Sequence, residues 1–365
     1  MDERRRAVED VVAPMLDFYK GKRVFVTGHT GFKGAWLCAI LSMAGAEVTG
    51  YALPPAEGPN LYEIAQIGGH MNSRFGDVRD LASLQAAFHA AKPEIVFHLA
   101  AQPIVRESYR DPVGTYGTNV MGTVHLLECV RQSDVVRSVV NVTTDKVYRN
   151  NEWCWGYREN DALGGFDPYA NSKSCSELAT ESYQNSFLAE RGIAVSTARA
   201  GNVIGGGDFA KDRIIPDCVR AVLAGETIKL RNPYSLRPYQ HVLEALSAYL
   251  LIAQRQYEDI DLADCYNVGP DESDCVTTGK LVEMFCAAWG KEARWEVTGN
   301  GDGPHEDGLL KLDCEKIRSA LGWEPAWDLT RAVEETVVWA KTWRDGNNVP
   351  LYMEGQMNAY FNRGA

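Results

Sequence analysis

Tyr169 and Lys173 stand four residues apart in Tyr169-Ala170-Asn171-Ser172-Lys173, a spacing that puts both side chains on one face of a helix. A phenol ordinarily loses its proton near pH ~10, and an ammonium beside it favours the phenolate, so the pair is a candidate base for the proton of an alcohol. Upstream, Thr143-Thr144-Asp145-Lys146 ends an apolar run and offers a hydroxyl to hold an alcohol oxygen, a carboxyl group and an amine. The segment Val26 to Gly34, VTGHTGFKG, follows the strand-like Arg23-Val24-Phe25-Val26 and places glycines at 28, 31 and 34. A strand that turns on glycine into a helix aims unpaired N–H groups and the positive end of the helix dipole at one spot, where the diphosphate of a dinucleotide can sit. A nicotinamide ring held there would take hydride from the carbon whose hydroxyl Tyr169 deprotonates, and its positive charge would lower the phenol pKa further. The plainer alternative, a surface tyrosine and lysine on an ordinary helix, leaves the glycine turn without a use.

These groups need a frame. Apolar strand candidates recur at 23–27, 46–51, 72–75, 94–99, 136–143 and 193–199, separated by helical patterns at 33–44, 80–91, 116–132 and 172–191. Such alternation predicts an α/β protein with a doubly wound parallel sheet covered on both faces, its ligands bound at the carboxyl ends of the strands, where all the polar motifs fall. After residue 205 the alternation breaks down and Gly, Pro, Asp and Trp become frequent, as a smaller mixed α/β substrate-binding domain requires. A helix near 241–256 is expected to return to the first domain. The expected division is 1–202 plus about 238–266 for the dinucleotide, and about 203–237 plus 267–365 for the substrate.

Composition narrows the partners. A formal net charge of −12 argues against nucleic acid or an anionic membrane, so local Arg, Lys and backbone amides must hold any phosphate. Nine cysteines form no C-x-x-C pair and lie in apolar segments, which predicts reduced, packing thiols and no metal site of that kind. The charged stretch Met1 to Arg6 lacks the apolar core of a signal peptide, and no uncharged apolar run is long enough to span a bilayer; a cytoplasmic protein is expected.

On these residues the chain resembles the extended short-chain dehydrogenase/reductase superfamily, whose Rossmann-like fold and NAD-dependent chemistry are then implied along nearly its whole length. The resemblance assigns Gly28, His29, Gly31, Phe32, Lys33 and Gly34 to the cofactor diphosphate and Asp77 and Val78 to adenine. It places Leu99, Ala100 and Ala101 beside the nicotinamide half, with Asn119 in the central helix, and Thr143, Tyr169 and Lys173 at the reacting end. Within the superfamily it is similar to nucleotide-sugar 4,6-dehydratases, which carry Thr-Asp-Glu where this chain has Thr144-Asp145-Lys146. CDP-D-glucose 4,6-dehydratases are similar in having Thr-Asp-Lys there, together with HTGFKG and RAGNVIGGGD, found here at 29–34 and 199–208. The implied reaction oxidises C4, eliminates water across C5 and C6 and returns hydride to C6. Asp145 inherits the role of acid for the C6 hydroxyl, and Lys146 that of C5 base, unless it only orders Asp145 or binds substrate oxygens. Asn202, Arg213, Arg237 and Asn267 match positions that contact the diphosphate of a CDP-sugar, and similar enzymes pair as homodimers through two helices, here 116–132 and 172–191.

Some positions stay open. An ammonium beside Asp145 would favour its carboxylate, the reverse of what an acid needs, although an adjacent pair can share its protons. The second strand ends in Tyr51-Ala52-Leu53-Pro54-Pro55, without the expected Asp and without arginines for a 2′-phosphate, which favours NAD over NADP. His29 either crowds the diphosphate or faces outward, and Lys33 either meets an anion or is solvated. Lys211 is either a phosphate or ribose contact or a solvated loop charge. Trp153, Trp155, Trp323 and Trp327 either stack on a base or pack the smaller domain. The competing activities are a nucleotide-sugar epimerase or reductase, a dehydratase for another nucleotide, and a cofactor-sensing binder without catalysis.

Overall fold

The computed structural model describes residues 15–298 and 308–362; the expectations placed on Met1 to Arg6 lie outside them. Apolar, largely β-branched runs form strands β1 (Arg23–Thr27), β2 (Glu47–Ala52), β4 (Ile95–His98), β5 (Ser138–Val142) and β6 (Ala194–Ala200), while the edge strand β3 (Asn72–Phe75) is polar and mostly exposed. Helices α1 (Phe32–Met43), α2 (Leu81–Ala91), α3 (Val105–Arg110), α4 (Pro112–Tyr116), α5 (Gly122–Arg131) and α6 (Pro168–Tyr183) lie between them.

Two helices differ from expectation. The one expected over 116–132 begins at Pro112, capped by Asp111, and carries a widened π turn over Gly117–Met121 before α5. The one expected from 172 begins at Pro168, because Asp167 accepts a hydrogen bond from Ala170 N at 2.9 Å and caps the first turn; a second π turn follows at Gln184–Leu188. Tyr169 therefore stands in the first turn of α6 and Lys173 one turn on.

Beyond β6 come β7 (Val203–Ile204), α7 (Ile214–Leu223), β8 (Ile228–Leu230), β9 (Leu236–Pro238), β10 (Gln240–His241) and α8 (Val242–Glu258). Strands β11 (Cys265–Val268), β12 (Cys275–Thr277) and β13 (Trp295–Val297) follow, with helices α9 (Thr278–Trp289), α10 (Glu315–Leu321), α11 (Leu329–Arg344) and α12 (Val349–Phe361). The main sheet runs β11-β6-β5-β4-β1-β2-β3, parallel throughout, with Val24 opposite both Val48 and Ile95. The seventh strand, β11, had no counterpart among the sequence candidates. Strand order reverses between β1 and β4, so the crevice at their carboxyl ends is the ligand position of a doubly wound sheet.

Three two-stranded ladders, β10 with β7, β12 with β9 and β13 with β8, lie outside this sheet. One core under it joins Trp36, Leu37 and Leu41 to the buried face of α8, and the opposite face buries Phe25, Leu84, Leu126 and Val195. A separate core of Ile215, Cys218, Ile228, Leu281, Phe285 and Val333 holds the cap. Trp323, Trp327, Met353, Tyr360 and Phe361 belong to the first of these cores, with Trp323 donating to Ser247 Oγ at 3.0 Å. The assignment of all of 267–365 to the smaller domain is thereby corrected: the C-terminal apolar residues return to cover α8. Among the described residues no helix is long and apolar enough to cross a membrane, and all nine cysteines are free thiols.

Candidate active site

The turn from β1 into α1 is built for close approach. Gly28 has φ +79°, and a Cβ on it would lie 2.7 Å from Ala100 N; one on Gly34 would lie 2.1 Å from Gly28 O. Gly31 caps α1 without a side chain, which leaves the first N–H groups of the helix uncovered by protein side chains of the cap. Thr27 Oγ1 accepts from Leu99 N at 3.1 Å and Ala100 N at 3.2 Å, tying the end of β4, with Ala101 just beyond, to the turn. Phe32 turns toward the core beside Gly205.

His29 neither crowds this cradle nor faces outward. It is buried against β2 and β3, bonded through Nε2 to Ser73 Oγ at 2.7 Å and flanked by Tyr62 and Phe75, in space that the absent side chain of Gly50 leaves open. Burial lowers its pKa to about 4, so the ring is neutral. Asp77 caps no helix; Asp80 does that for α2, and Asp77 is held by the Arg79 guanidinium at 2.6 Å while Val78 is buried. Asn119, in the π turn, is used internally: its carbonyl accepts from Gln102 N at 2.8 Å and its amide donates to Gln102 O at 3.1 Å and Ser172 Oγ at 2.9 Å. It holds the loop after β4 against α6 and has no N–H left for a ligand.

A cavity of about 410 Å³ opens beside the cradle, lined by Lys33, Thr143, Thr144, Asp145, Lys146 and Tyr169 on the sheet side and by Asn202, Arg213, Arg237 and Tyr239 on the other. Thr144 Oγ1 donates to Asp145 Oδ1 at 3.0 Å and shares a hydrogen bond with the Tyr169 phenol. Asp145 Oδ2 is buried without a hydrogen-bond partner among the described residues. Behind them Thr143 donates to Glu177, which also accepts from Thr197 at 2.6 Å and Arg199 at 2.9 Å, and Lys173 Nζ donates to Val142 O at 2.9 Å.

Burial dominates the electrostatics. It raises the Asp145 carboxyl above the usual carboxylate range, against the pull of Lys146, the Thr144 hydrogen bond, Arg237 and Lys33. Against the neighbouring ammonium, burial moves the carboxyl toward its acid form. Burial likewise pushes Tyr169 up to about 12, with the Thr144 bond and Arg213 opposing and Asp145 and Asp167 assisting. It lowers Lys173 to about 8 against Glu177. The expected lowering of the phenol pKa by Lys173 is outweighed by burial, and the Lys173 ammonium is turned to the Val142 carbonyl. Lys33 is half-buried and forms no ion pair among the described residues: it meets Tyr249 Oη at 3.3 Å, and burial, Arg213 and Lys173 bring its pKa to about 7. An amine on the first turn of α1 therefore belongs to the reacting cavity.

Of the substrate-side candidates, Arg237 is buried and donates to Leu236 O at 2.9 Å, and Arg213 pairs with Asp208 at 2.8 Å. Asn267 is corrected. It lies outside the cavity, fully buried, donating to Tyr157 O at 2.7 Å and Asp313 O at 2.9 Å and accepting from Tyr148 at 2.6 Å. Lys211 is exposed, and Trp323 and Trp327 are core residues. Sequence reasoning missed Arg106, Ser235, Thr278 and the wall Ile228 to Asn232, which carry no short motif.

The model of the GDP-mannose 4,6-dehydratase family matches residues 25–336, which spans both the cradle and the cavity wall. The chain belongs to this family. Within reach of it, the chain is 48% identical over 354 residues to CDP-glucose 4,6-dehydratase of Salmonella typhimurium, covering 95% of this chain and 98% of the relative. Among solved structures, it is similar to UDP-glucose 4-epimerase of Stenotrophomonas maltophila with bound NAD and formylated UDP-arabinopyranose (TM-score 0.77, 21% identity, 89% and 99% coverage). It is also similar to dTDP-glucose 4,6-dehydratase of Bacillus anthracis in complex with NAD (TM-score 0.73, 22% identity, 89% and 98% coverage). Family membership accounts for the doubly wound sheet and its carboxyl-end cavity.

Proposed function

We propose that the protein is an NAD-dependent CDP-D-glucose 4,6-dehydratase, converting CDP-glucose to CDP-4-keto-6-deoxyglucose. The observation that carries this reading is a buried carboxyl, Asp145, kept toward its acid form 3.0 Å from Thr144 in the cavity that also holds Tyr169. An epimerase acting at C4 alone has no use for an acid at the C6 hydroxyl.

The glycine cradle fits a dinucleotide diphosphate, since any Cβ at Gly28 or Gly34 would overlap backbone, and Asp77 and Val78 would hold the adenine end. A bound NAD would supply the acceptor for the C4 hydride and its donor to C6. Tyr169 removes the C4 hydroxyl proton while Thr144 orients that oxygen. The resulting ketone acidifies C5–H, and Lys146 takes that proton as the C5 base. Asp145 then protonates the departing C6 hydroxyl, and Lys146 gives the proton back to C5. Arg213, Arg237 and Asn202 hold the substrate diphosphate, arginine forks meeting phosphate oxygens two at a time.

Exposed apolar side chains on the α3–α5 and α6 faces, Val113, Tyr116, Met121, Leu178 and Phe187, support pairing into a homodimer through these helices. Nine free thiols suit a reducing cytoplasm. The test is to incubate the protein with CDP-, dTDP-, UDP- and GDP-hexoses, with and without NAD. Alkali-induced ultraviolet absorbance of a keto sugar without net NAD reduction is expected for CDP-glucose. Turnover confined to another nucleotide, or sugar inversion without water loss, overturns the reading.

A further inference from the structure

We propose that Arg106 and Asp212 form a latch across the mouth of the catalytic cavity, and that this latch sets Arg213 in place for the sugar nucleotide. Arg106 belongs to α3, just beyond the carboxyl end of β4 on the cofactor side; Asp212 belongs to Asp208–Arg213, the segment that enters α7 on the cap side. Their side chains meet at 3.2 Å, and both line the cavity.

The segment is held unevenly. Its first half is anchored to the cap: the Phe209 ring packs on Trp343 at 4.9 Å and Trp339 at 6.1 Å, and Arg220 donates to Phe209 O and Ala210 O, each at 3.1 Å. The second half is held at its end, where Arg213 caps α7 and its carbonyl accepts from Asp217 N at 2.9 Å, which leaves Lys211 and Asp212 between the two anchors. Lys211 is exposed, and Asp212 has φ +61°, a left-handed conformation that a non-glycine residue keeps only when its surroundings hold it. Its side chain is held by the Arg106 guanidinium at 3.2 Å. The next residue, Arg213, is aimed by Asp208 at 2.8 Å, so releasing Asp212 frees the turn that carries the Arg213 backbone. Arg106 acts through Asp212 and is a positioning residue. Because Arg213 would grip the diphosphate alike in ground and transition states, loss of the latch should raise KM and spare kcat.

The part of this inference that concerns substrate rests on the proposed function; the latch itself does not, and the experiment separates them. Lys211 and Arg213 are tryptic sites within the latched segment. In ligand-free protein, Arg106→Gln and Asp212→Asn should each be cut between Ala210 and Ile214 about two- to fivefold faster than wild type, as loss of a part-exposed ion pair allows. The double variant should be cut no faster than either single one, and the exchange Arg106→Asp/Asp212→Arg, which adds a tryptic site and is therefore read by amide hydrogen exchange over 210–214, should regain protection. Asp212→Gly, which suits the left-handed turn but lacks the carboxylate, should be cut fast while staying folded. With CDP-glucose, KM should rise by a similar factor in each single variant, with kcat and the NAD dissociation constant unchanged. Wild-type cleavage rates in the single variants, additive effects in the double one, or a fall in kcat instead of a rise in KM overturns the latch. The expected cleavage pattern in a protein inert toward CDP-glucose keeps the latch and removes the proposed function.

Discussion

The Lys173 ammonium donates to the carbonyl oxygen of Val142 at 2.9 Å, one helical turn from the phenol that its position in the sequence suggests it should activate. Lysine and tyrosine share a face of α6, yet the lysine spends its charge on the end of β5, and burial leaves Tyr169 at about 12. A usable base at neutral pH then depends on positive charge arriving with NAD. Titrating tyrosinate absorbance, as wild type minus Tyr169→Phe, should show no Tyr169 ionisation below pH ~11 without cofactor and a downward shift of about two units with it. A phenol that titrates alike in both states sinks the idea.

Asp145 separates two half-reactions. If, as proposed, it is the acid for the C6 hydroxyl and takes no part in removing the C4 proton, Asp145→Asn should slow water loss about 10²- to 10⁴-fold while C4 oxidation persists. Addition of CDP-glucose to the NAD-loaded variant should produce reduced-cofactor absorbance that decays slowly, where wild type shows little. If no reduced cofactor accumulates and turnover stays high, Asp145 is not the acid.

Stability should fall in acid because three histidines are buried neutral. Burial brings His29 to about 4 and His98 and His241 to about 3, below the ~6.5 of an unfolded chain. As pH drops below ~6.5 the unfolded chain takes up protons that the fold refuses, so their contribution is complete above that pH and is lost on the way to ~3. At pH ~5.5 each costs about 1.4 kcal/mol, about 4 kcal/mol together, with the raised Asp145 pKa opposing. Urea midpoints of cofactor-free protein at pH 7.5 and 5.5 check this; equal midpoints contradict it. His98→Gln should remove about a third of the slope.

The six leading strands and the helices between them were legible because buried parallel strands are written as short apolar runs and helices as periodic ones. Strand β11 escaped because Cys265-Tyr266-Asn267-Val268 is short and interrupted by a polar residue. That Thr144, Asp145, Lys146 and Tyr169 lie together was legible too, since they sit at strand and helix ends, where local order decides position, and they line one cavity. Side-chain type alone could not say what a polar residue bonds to. Asn119 and Asn267 read as ligand amides and prove to be tied to protein carbonyls, while Lys33 reads as a possible surface charge and lines the cavity. Arg106 gave no signal because its partner lies more than a hundred residues away.

Asn267→Ala tests that distinction directly. Two carbonyls and the Tyr148 hydroxyl would lose their partner in a buried site, which costs about 2–3 kcal/mol of stability. Because the side chain does not reach the cavity, KM for CDP-glucose should stay within about twofold of wild type. A large rise in KM with an unchanged melting temperature would return Asn267 to the binding site.

Lys146 lines the cavity beside Asp145 and forms no hydrogen bond or ion pair through its ammonium among the described residues, so its amine is available to a substrate. If it is the C5 base, Lys146→Met should leave C4 oxidation intact and abolish exchange of the C5 hydrogen with solvent, with overall dehydration down by about 10²- to 10⁴-fold. Lys146→Glu replaces the amine by a carboxylate that can also accept a proton, but it puts a second negative charge next to Asp145 and so raises the carboxyl pKa values of the pair. Its kcat should therefore recover part of the loss, and its alkaline fall-off should lie at higher pH than that of an unperturbed acid pair. Deuterium incorporation at C5 in heavy water, read by mass spectrometry of the keto-sugar product, reports the step itself. Normal C5 exchange in Lys146→Met would assign the base elsewhere in the cavity, with Lys33 the next amine to examine.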